Sequence, residues 1–117
     1  MNIEEARLCA LAQHNAVTED EFSPGWISYR IGGKWFMLIQ LDAPEPRVAV
    51  KLPPERGAEL RERHPLAIRP AYHMNKTHWS DLYLNEIGTQ QAQALIGESF
   101  ALVAHSLSKK AQTELGL

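Results

Sequence analysis

The sequence contains one cysteine, Cys9, and no long uninterrupted apolar run. A single cysteine excludes an intramolecular disulfide and any metal site built from several thiolates. The first residues, MNIEEARLCALAQ, lack the basic region and long apolar region of a secretory signal. No stretch reaches the roughly 20 apolar residues that a transmembrane helix needs. These absences predict a cytoplasmic protein that does not insert into a membrane.

A strong excess of either charge is also absent. The 117 residues include 14 acidic and 12 basic side chains, which gives a net charge of −2. Domains that bind nucleic acid are often markedly basic, so the global charge argues against a dominant phosphate-binding role. Residues 46–85 are the exception, because seven basic residues outnumber four acidic ones there. The length and the 44% hydrophobic content indicate one globular domain spanning residues 1–117.

The first half of the chain reads as one helix followed by three strands. Residues 2–13 are predicted to be helical, and residues 15–25 are predicted to be an acidic connector that ends in a Pro-Gly turn. Trp26–Ile31 and Lys34–Asp42 flank a glycine pair, the usual signal of a two-residue hairpin turn. Arg47–Leu52 alternates apolar and polar residues and is expected to add a third antiparallel strand.

The second half reads as a helix, two strands and a helix. Residues 53–63 open with two prolines and are predicted to be helical, with a solvated, charge-paired face. Ala71–Met74 and Trp79–Leu84 are predicted to be strands around a polar loop. Thr89 is expected to cap the last helix, and residues 108–117 are expected to form a flexible tail.

This order of elements predicts an α+β domain with two layers. Adjacent strands favour an antiparallel sheet, here of five strands, with the helices on one face. The expected topology is an α-β3-α-β2-α sandwich in a single domain.

The segment PAYHMNKTHWSDLYL (Pro70–Leu84) resembles the signature of the MmcQ/YjbR family, in which a Gly-or-Ala-Tyr-His-Met-Asn-Lys-x-His-Trp run is typical. Three further blocks agree in the family's order: IGGKWFMLIQLD (31–42), RVAVKLPPERGAELRERHP (47–65) and SLSKK (106–110). The resemblance implies the same α-β3-α-β2-α fold, which is similar to secretion-chaperone-like folds. It also implies non-catalytic DNA binding through a double-wing arrangement with a concave sheet surface.

Several residues of the basic block suit such a role. Arg47 and Lys51 would project from the solvent face of the sheet if Val48 and Val50 face the core. Aromatic side chains such as Trp35 could stack on bases if they are exposed, although large aromatics usually lie in a core. The predicted nucleic-acid-binding residues are Arg47, Lys51, Arg69, Tyr72, His73, Asn75, Lys76, His78 and Trp79.

No catalytic residue, metal site or cofactor is predicted. His73 and His78 are five residues apart, which places them on opposite faces of a strand. Ser80 and His78 would share a strand face, but no third group is evident to orient the imidazole. Asp42 and Asp81 read as single carboxylates without a partner.

Two other classes of function remain open from the sequence. A protein-interaction or chaperone-like module should dimerise or expose a sizeable apolar patch. A small-ligand domain would need a pocket around Tyr72, His73 and Trp79. DNA or a protein is the expected partner, and the expected state is a monomer or weak homodimer.

Overall fold

The computed structural model describes all 117 residues as four helices and one six-stranded antiparallel sheet. In chain order the elements are α1 (Ile3–Leu11), β1 (Thr18–Ser23), β2 (Trp26–Ile31), β3 (Lys34–Gln40), β4 (Arg47–Lys51), α2 (Pro54–Arg63), β5 (Ile68–Pro70), β6 (Trp79–Tyr83), α3 (Thr89–Ser106) and α4 (Lys109–Leu115). The strand order across the sheet is β1-β2-β3-β4-β6-β5. None of the helices combines the length and apolar character needed to cross a bilayer.

The hydrophobic core lies between the helices and one face of the sheet. Its fully buried members include Phe36, Ile39, Val48, Val50 and Leu82 from the strands, Leu95, Ile96 and Val103 from α3, and Ala6 and Ala10 from α1. Because side chains alternate along a strand, the β4 residues that flank Val48 and Val50 point to the other face of the sheet. That second face, which we call the open face, carries Arg47 and Lys51.

Several predicted elements are confirmed, with their local causes visible. The Asn2 side chain accepts a hydrogen bond from the Glu5 N–H, and the Glu5 carboxylate accepts one from the Asn2 N–H, so a capping box starts α1. Gly32 and Gly33 both have positive φ, as the β2–β3 hairpin turn requires. The last helix is also present, but the prediction that Thr89 caps it is wrong, because Thr89 is the first residue of α3 and Gly88 is the N-cap.

The sheet has six strands and not five, because part of the predicted connector forms β1. This strand pairs antiparallel with β2, from Thr18 opposite Arg30 to Ser23 opposite Trp26. All six of its residues are exposed, so it has no buried alternate positions that the sequence pattern could reveal. Tertiary contacts hold it instead: Glu19 accepts a hydrogen bond from the Tyr29 hydroxyl at 2.6 Å.

The predicted strand Ala71–Met74 is wrong, since the strand at this edge is β5, three residues earlier. After Pro70 the chain turns, and the Met74 N–H donates to the Ala71 carbonyl. The Asn75 side-chain oxygen then accepts a hydrogen bond from the Thr77 N–H, and the Asn75 backbone carbonyl accepts one from the Trp79 N–H. Asn75 therefore shapes a turn by bonding the backbone, as asparagine commonly does.

The predicted flexible tail is also wrong, because residues 109–115 form α4. Ser108 caps this helix by accepting from the Ala111 N–H, and Gly116 ends it with a left-handed φ of 76°. Ala111 and Leu115 pack against the core. Burial of these two side chains offsets the entropy lost when a chain terminus becomes ordered.

Candidate functional site

The open face is a strip of polar and aromatic side chains that no helix covers. Across β4 and β6, Arg47 lies opposite Tyr83, Ala49 opposite Asp81, and Lys51 opposite Trp79. The loop 71–77 folds back over part of this face. There, Ala71 and Trp79 join Leu38 and Ala49 in a small second core, with Trp35 and Met74 packed against it.

An aromatic cleft opens on this face between the loop and the first hairpin. It has a volume of about 230 Å³ and is lined by Phe22, Ser23, Trp26, Trp35, Leu38, His73 and Met74. The Phe22 and Trp35 ring centroids are 4.8 Å apart, and Trp26 meets His73 edge-on at 5.5 Å. Phe22 is 37% exposed, so the cleft presents aromatic rings to solvent.

A basic cleft adjoins the aromatic one at the edge of the open face, where residues of α3 form part of its wall. It comprises two hollows, of about 430 and 310 Å³, which share Lys51, Val103 and Ser106. The remaining lining residues are Gly33, Lys34, Trp35 and Trp79 in the first hollow, and Leu52, Pro53, Pro54, His78 and Leu102 in the second. No carboxylate lines either hollow, and neither Lys34 nor Lys51 takes part in an ion pair. The two clefts meet at Trp35, which lines both.

The two arginines predicted to contact phosphate are already engaged with the protein. Arg47 donates to the Gln40 side-chain oxygen at 3.0 Å, and its Nε lies 3.7 Å from an Asp81 carboxylate oxygen. The Arg69 guanidinium lies 3.8 Å from the centre of the Tyr83 ring and donates to a backbone carbonyl. The prediction that Asp81 lacks a partner is therefore wrong.

Asp81 is the one carboxylate on the open face with a strongly altered acidity. Burial raises its pKa to about 6, while the charges of Arg47 and His73 act in the opposite direction. The side chain is only 11% exposed and sits opposite Arg69 in the β5–β6 ladder. Desolvation of the charged form therefore outweighs the attraction of its neighbours.

We expect this carboxyl to make folding stability depend on pH. Because its folded-state pKa of about 6 exceeds the ordinary value of 3.8, the folded state binds the proton more tightly. The free energy of unfolding should therefore rise as pH falls from about 6 to about 4, by up to about 3 kcal/mol. Urea unfolding of the wild type and Asp81→Asn across this range measures the effect. If the free energy of unfolding depends on pH in the same way for the two proteins, Asp81 does not titrate in this way.

The nine residues singled out from the sequence do not form one cluster. His73 lines the aromatic cleft, whereas Lys51, His78 and Trp79 line the basic cleft. Tyr72 is 66% exposed and lies under the Lys76 ammonium at 4.9 Å, outside both clefts. Trp79 is 8% exposed, so it is a core residue more than a stacking surface.

Sequence reasoning missed several residues that line the two clefts. Phe22 and Trp26 flank the turn at Gly25, and Lys34 follows the hairpin glycines. Aromatic residues on both sides of a turn were the available signal for the first two. No group of three or more potential metal ligands comes together in the structure.

Comparisons with a family model and with individual relatives indicate the same family. A family model described as YjbR matches residues 11–102. The uncharacterized protein YbdF of Escherichia coli O157:H7 is 36% identical over 92 residues, which cover 78% of this chain and 75% of YbdF. The uncharacterized protein YjbR of Escherichia coli K12 is 30% identical over 76 residues, 64% of each chain.

Two solved structures share this fold over most or nearly all of the chain. The crystal structure of Deinococcus radiodurans protein DR2400, which has a DUF419 domain, aligns with a TM-score of 0.90 at 27% identity and covers 99% of this chain and 88% of its own. A crystal structure of a Pseudomonas syringae protein aligns with a TM-score of 0.74 at 27% identity, over 88% of this chain and 99% of its own.

Proposed function

The chain belongs to the YjbR family, and on that premise we propose that it binds DNA, without catalysis, through the open face of its sheet and the basic cleft at its edge. The observation that carries this proposal is the junction of the two clefts at Trp35. Lysine ammonium groups in the basic cleft suit phosphates, and exposed rings in the aromatic cleft suit bases.

The distribution of charge supports this choice despite the net charge of −2. Glu4 and Glu19 are paired with Arg7, on the helix-covered side of the sheet, and Glu98 is paired with Arg56. Lys34 and Lys51 line a hollow with no carboxylate to neutralise them. A local field of one sign can guide a charged ligand to a cleft even when the whole protein carries the opposite sign.

Fluorescence anisotropy with labelled oligonucleotides tests the proposal. We expect binding at about 20 mM salt that weakens steeply towards about 150 mM, because phosphate contacts release condensed counterions. Absence of binding at the lower salt concentration, with protein at several hundred micromolar, would overturn the proposal.

A second candidate is a protein-interaction module, and the edge strand β1 is the observation that favours it. All six residues of β1 are exposed, and β1 pairs with β2 only, so its outer edge is free to pair with a partner strand. Sedimentation of the purified protein over a range of concentrations tests one form of this idea. Self-association would support it, and a monomer at every concentration would count against pairing between copies.

The small-ligand alternative is less well supported. Of the three residues expected around its pocket, only His73 lines the aromatic cleft. The hollow of about 430 Å³ that Trp79 lines includes neither Tyr72 nor His73. The aromatic cleft, at about 230 Å³, is below the roughly 300–1,000 Å³ of sites that enclose a drug-sized molecule. A cleft of this size suits one planar ring whose attached groups remain outside.

A further inference from the structure

We infer that the nucleic acid held by the open face is single-stranded, with an unstacked base in the aromatic cleft and a neighbouring phosphate in the basic cleft. This inference rests on the proposed DNA binding and specifies the form of the ligand. Three properties of the two clefts support it: the chemistry of the lining, the size of the aromatic cleft, and the position of the cationic groups.

The aromatic cleft offers surfaces that recognise the faces of bases and not their edges. Its lining includes three aromatic rings, Phe22, Trp26 and Trp35, together with Leu38 and Met74, and its only polar side chains are Ser23 and His73. In a duplex the faces of the bases are covered by the stack, and only donor and acceptor edges are reached from the grooves. Ring faces become available when the strand is single.

The size and exposure of the aromatic cleft suit one base. A volume of about 230 Å³ accommodates a planar ring but not a sugar and phosphate as well. Phe22 lies on the edge strand β1 and is 37% exposed, so a strand could approach from that side without displacing a packed element. The cleft is concave, and a double helix is too broad to enter it unless a group projects from the duplex.

Two lysine side chains lie where they could contact the backbone of a nucleic-acid strand that enters the aromatic cleft. Trp35 lines both clefts, and Lys34, its neighbour in the chain, lines the basic one together with Lys51. The backbone of a strand whose base stacks near Trp35 would therefore pass next to two unpaired ammonium groups. Because the lining has few donors and acceptors, we expect little sequence preference.

The test compares one oligonucleotide in single-stranded and duplex form at equal salt, with wild-type protein and three variants. Trp26→Ala removes a ring from the cleft, and Trp26→Phe keeps a smaller ring. Leu8→Ala is the control, because Leu8 is an exposed apolar residue on α1 and lies outside both clefts. Thermal unfolding of each variant shows whether the substitutions preserve the fold.

We expect wild-type protein to bind the single strand more tightly than the duplex. Trp26→Ala should weaken single-strand binding by about 5- to 150-fold, the range found when a stacking ring is lost. Trp26→Phe should retain most of the affinity, and Leu8→Ala should leave it unchanged.

Two results would overturn the inference, and they are distinguishable. Duplex binding at least as tight as single-strand binding, unaffected by Trp26→Ala, would refute the single-strand form while leaving DNA binding in place. Absence of binding to both forms at low salt would refute the proposed function itself.

Discussion

Replacing Lys34 and Lys51 together by alanine is expected to weaken single-stranded DNA binding about 25-fold at 0.1 M salt. Each phosphate contact to a single strand contributes about 0.7 to the slope of log affinity against log salt, so two lost contacts reduce the slope by about 1.4. Both side chains line the basic cleft and form no ion pair, so their removal breaks no internal salt bridge. Anisotropy titrations at four or five salt concentrations measure affinity and slope together.

The matched control removes two positive charges from the helix layer. Arg56 and Arg63 lie on α2, where they pair with Glu98 and Glu59 at the surface. The Arg56→Ala/Arg63→Ala variant has the same net charge as the lysine variant, and surface pairs of this kind contribute little to stability. An equal loss of affinity in both variants would mean that total charge, and not the basic cleft, governs binding.

Ser99→Ala is expected to lower the free energy of unfolding by about 3 kcal/mol, because one hydroxyl serves two strands. Ser99 lies on α3 with 0% exposure. Its Oγ accepts from the Lys51 N–H at 2.8 Å and donates to the Phe36 carbonyl of β3. Alanine would leave a backbone donor and acceptor without partners in the interior, at about 1–3 kcal/mol each. Urea unfolding at constant pH measures the loss.

Ser106→Ala provides the comparison on the same helix. The Ser106 hydroxyl donates to the Val103 carbonyl within α3, and the residue is exposed. We expect a change of at most about 0.5 kcal/mol, as for most surface substitutions. A Ser99→Ala effect no larger than that of Ser106→Ala would show that the buried hydroxyl does not tie α3 to the sheet.

The role of Ser99 also concerns the candidate site. The two backbone groups that it binds belong to Lys51, in the basic cleft, and to Phe36, the chain neighbour of Trp35. Helix α3 therefore fixes, from behind the sheet, the strand positions from which a lysine and a tryptophan project. This arrangement holds the strand positions of Lys51 and Trp35 in place, which favours preorganised binding.

Elements with strong periodicity were predictable, and elements held by distant contacts were not. The β2–β3 hairpin, α2 and α3 have local signals in their glycines, prolines and apolar spacing. Strand β1 has the sequence TEDEFS, without buried alternate positions, and depends on its pairing with β2 and on the Tyr29–Glu19 hydrogen bond. Helix α4 has cap residues at both ends, but only its packing against the core explains why so short a segment is ordered.

The candidate site was predictable only in part, for the same physical reason. Alternation along β4 indicates that Arg47 and Lys51 share a face, but it cannot reveal that Gln40 and Asp81 engage Arg47 while Lys51 stays unpaired. The edge contact between Trp26 and His73 joins segments far apart in the chain. Such contacts depend on the sheet order β1-β2-β3-β4-β6-β5, which local patterns do not specify.

The salt dependence of DNA binding, measured in parallel for wild-type protein and the Lys34→Ala/Lys51→Ala variant, tests the central claim most directly. The proposed interface predicts that wild-type affinity for a single-stranded oligonucleotide falls steeply with salt concentration. For the variant, the slope of log affinity against log salt should be shallower by about 1.4. Identical slopes for the two proteins, or no binding by the wild type at low salt, would contradict a DNA-binding role for the basic cleft.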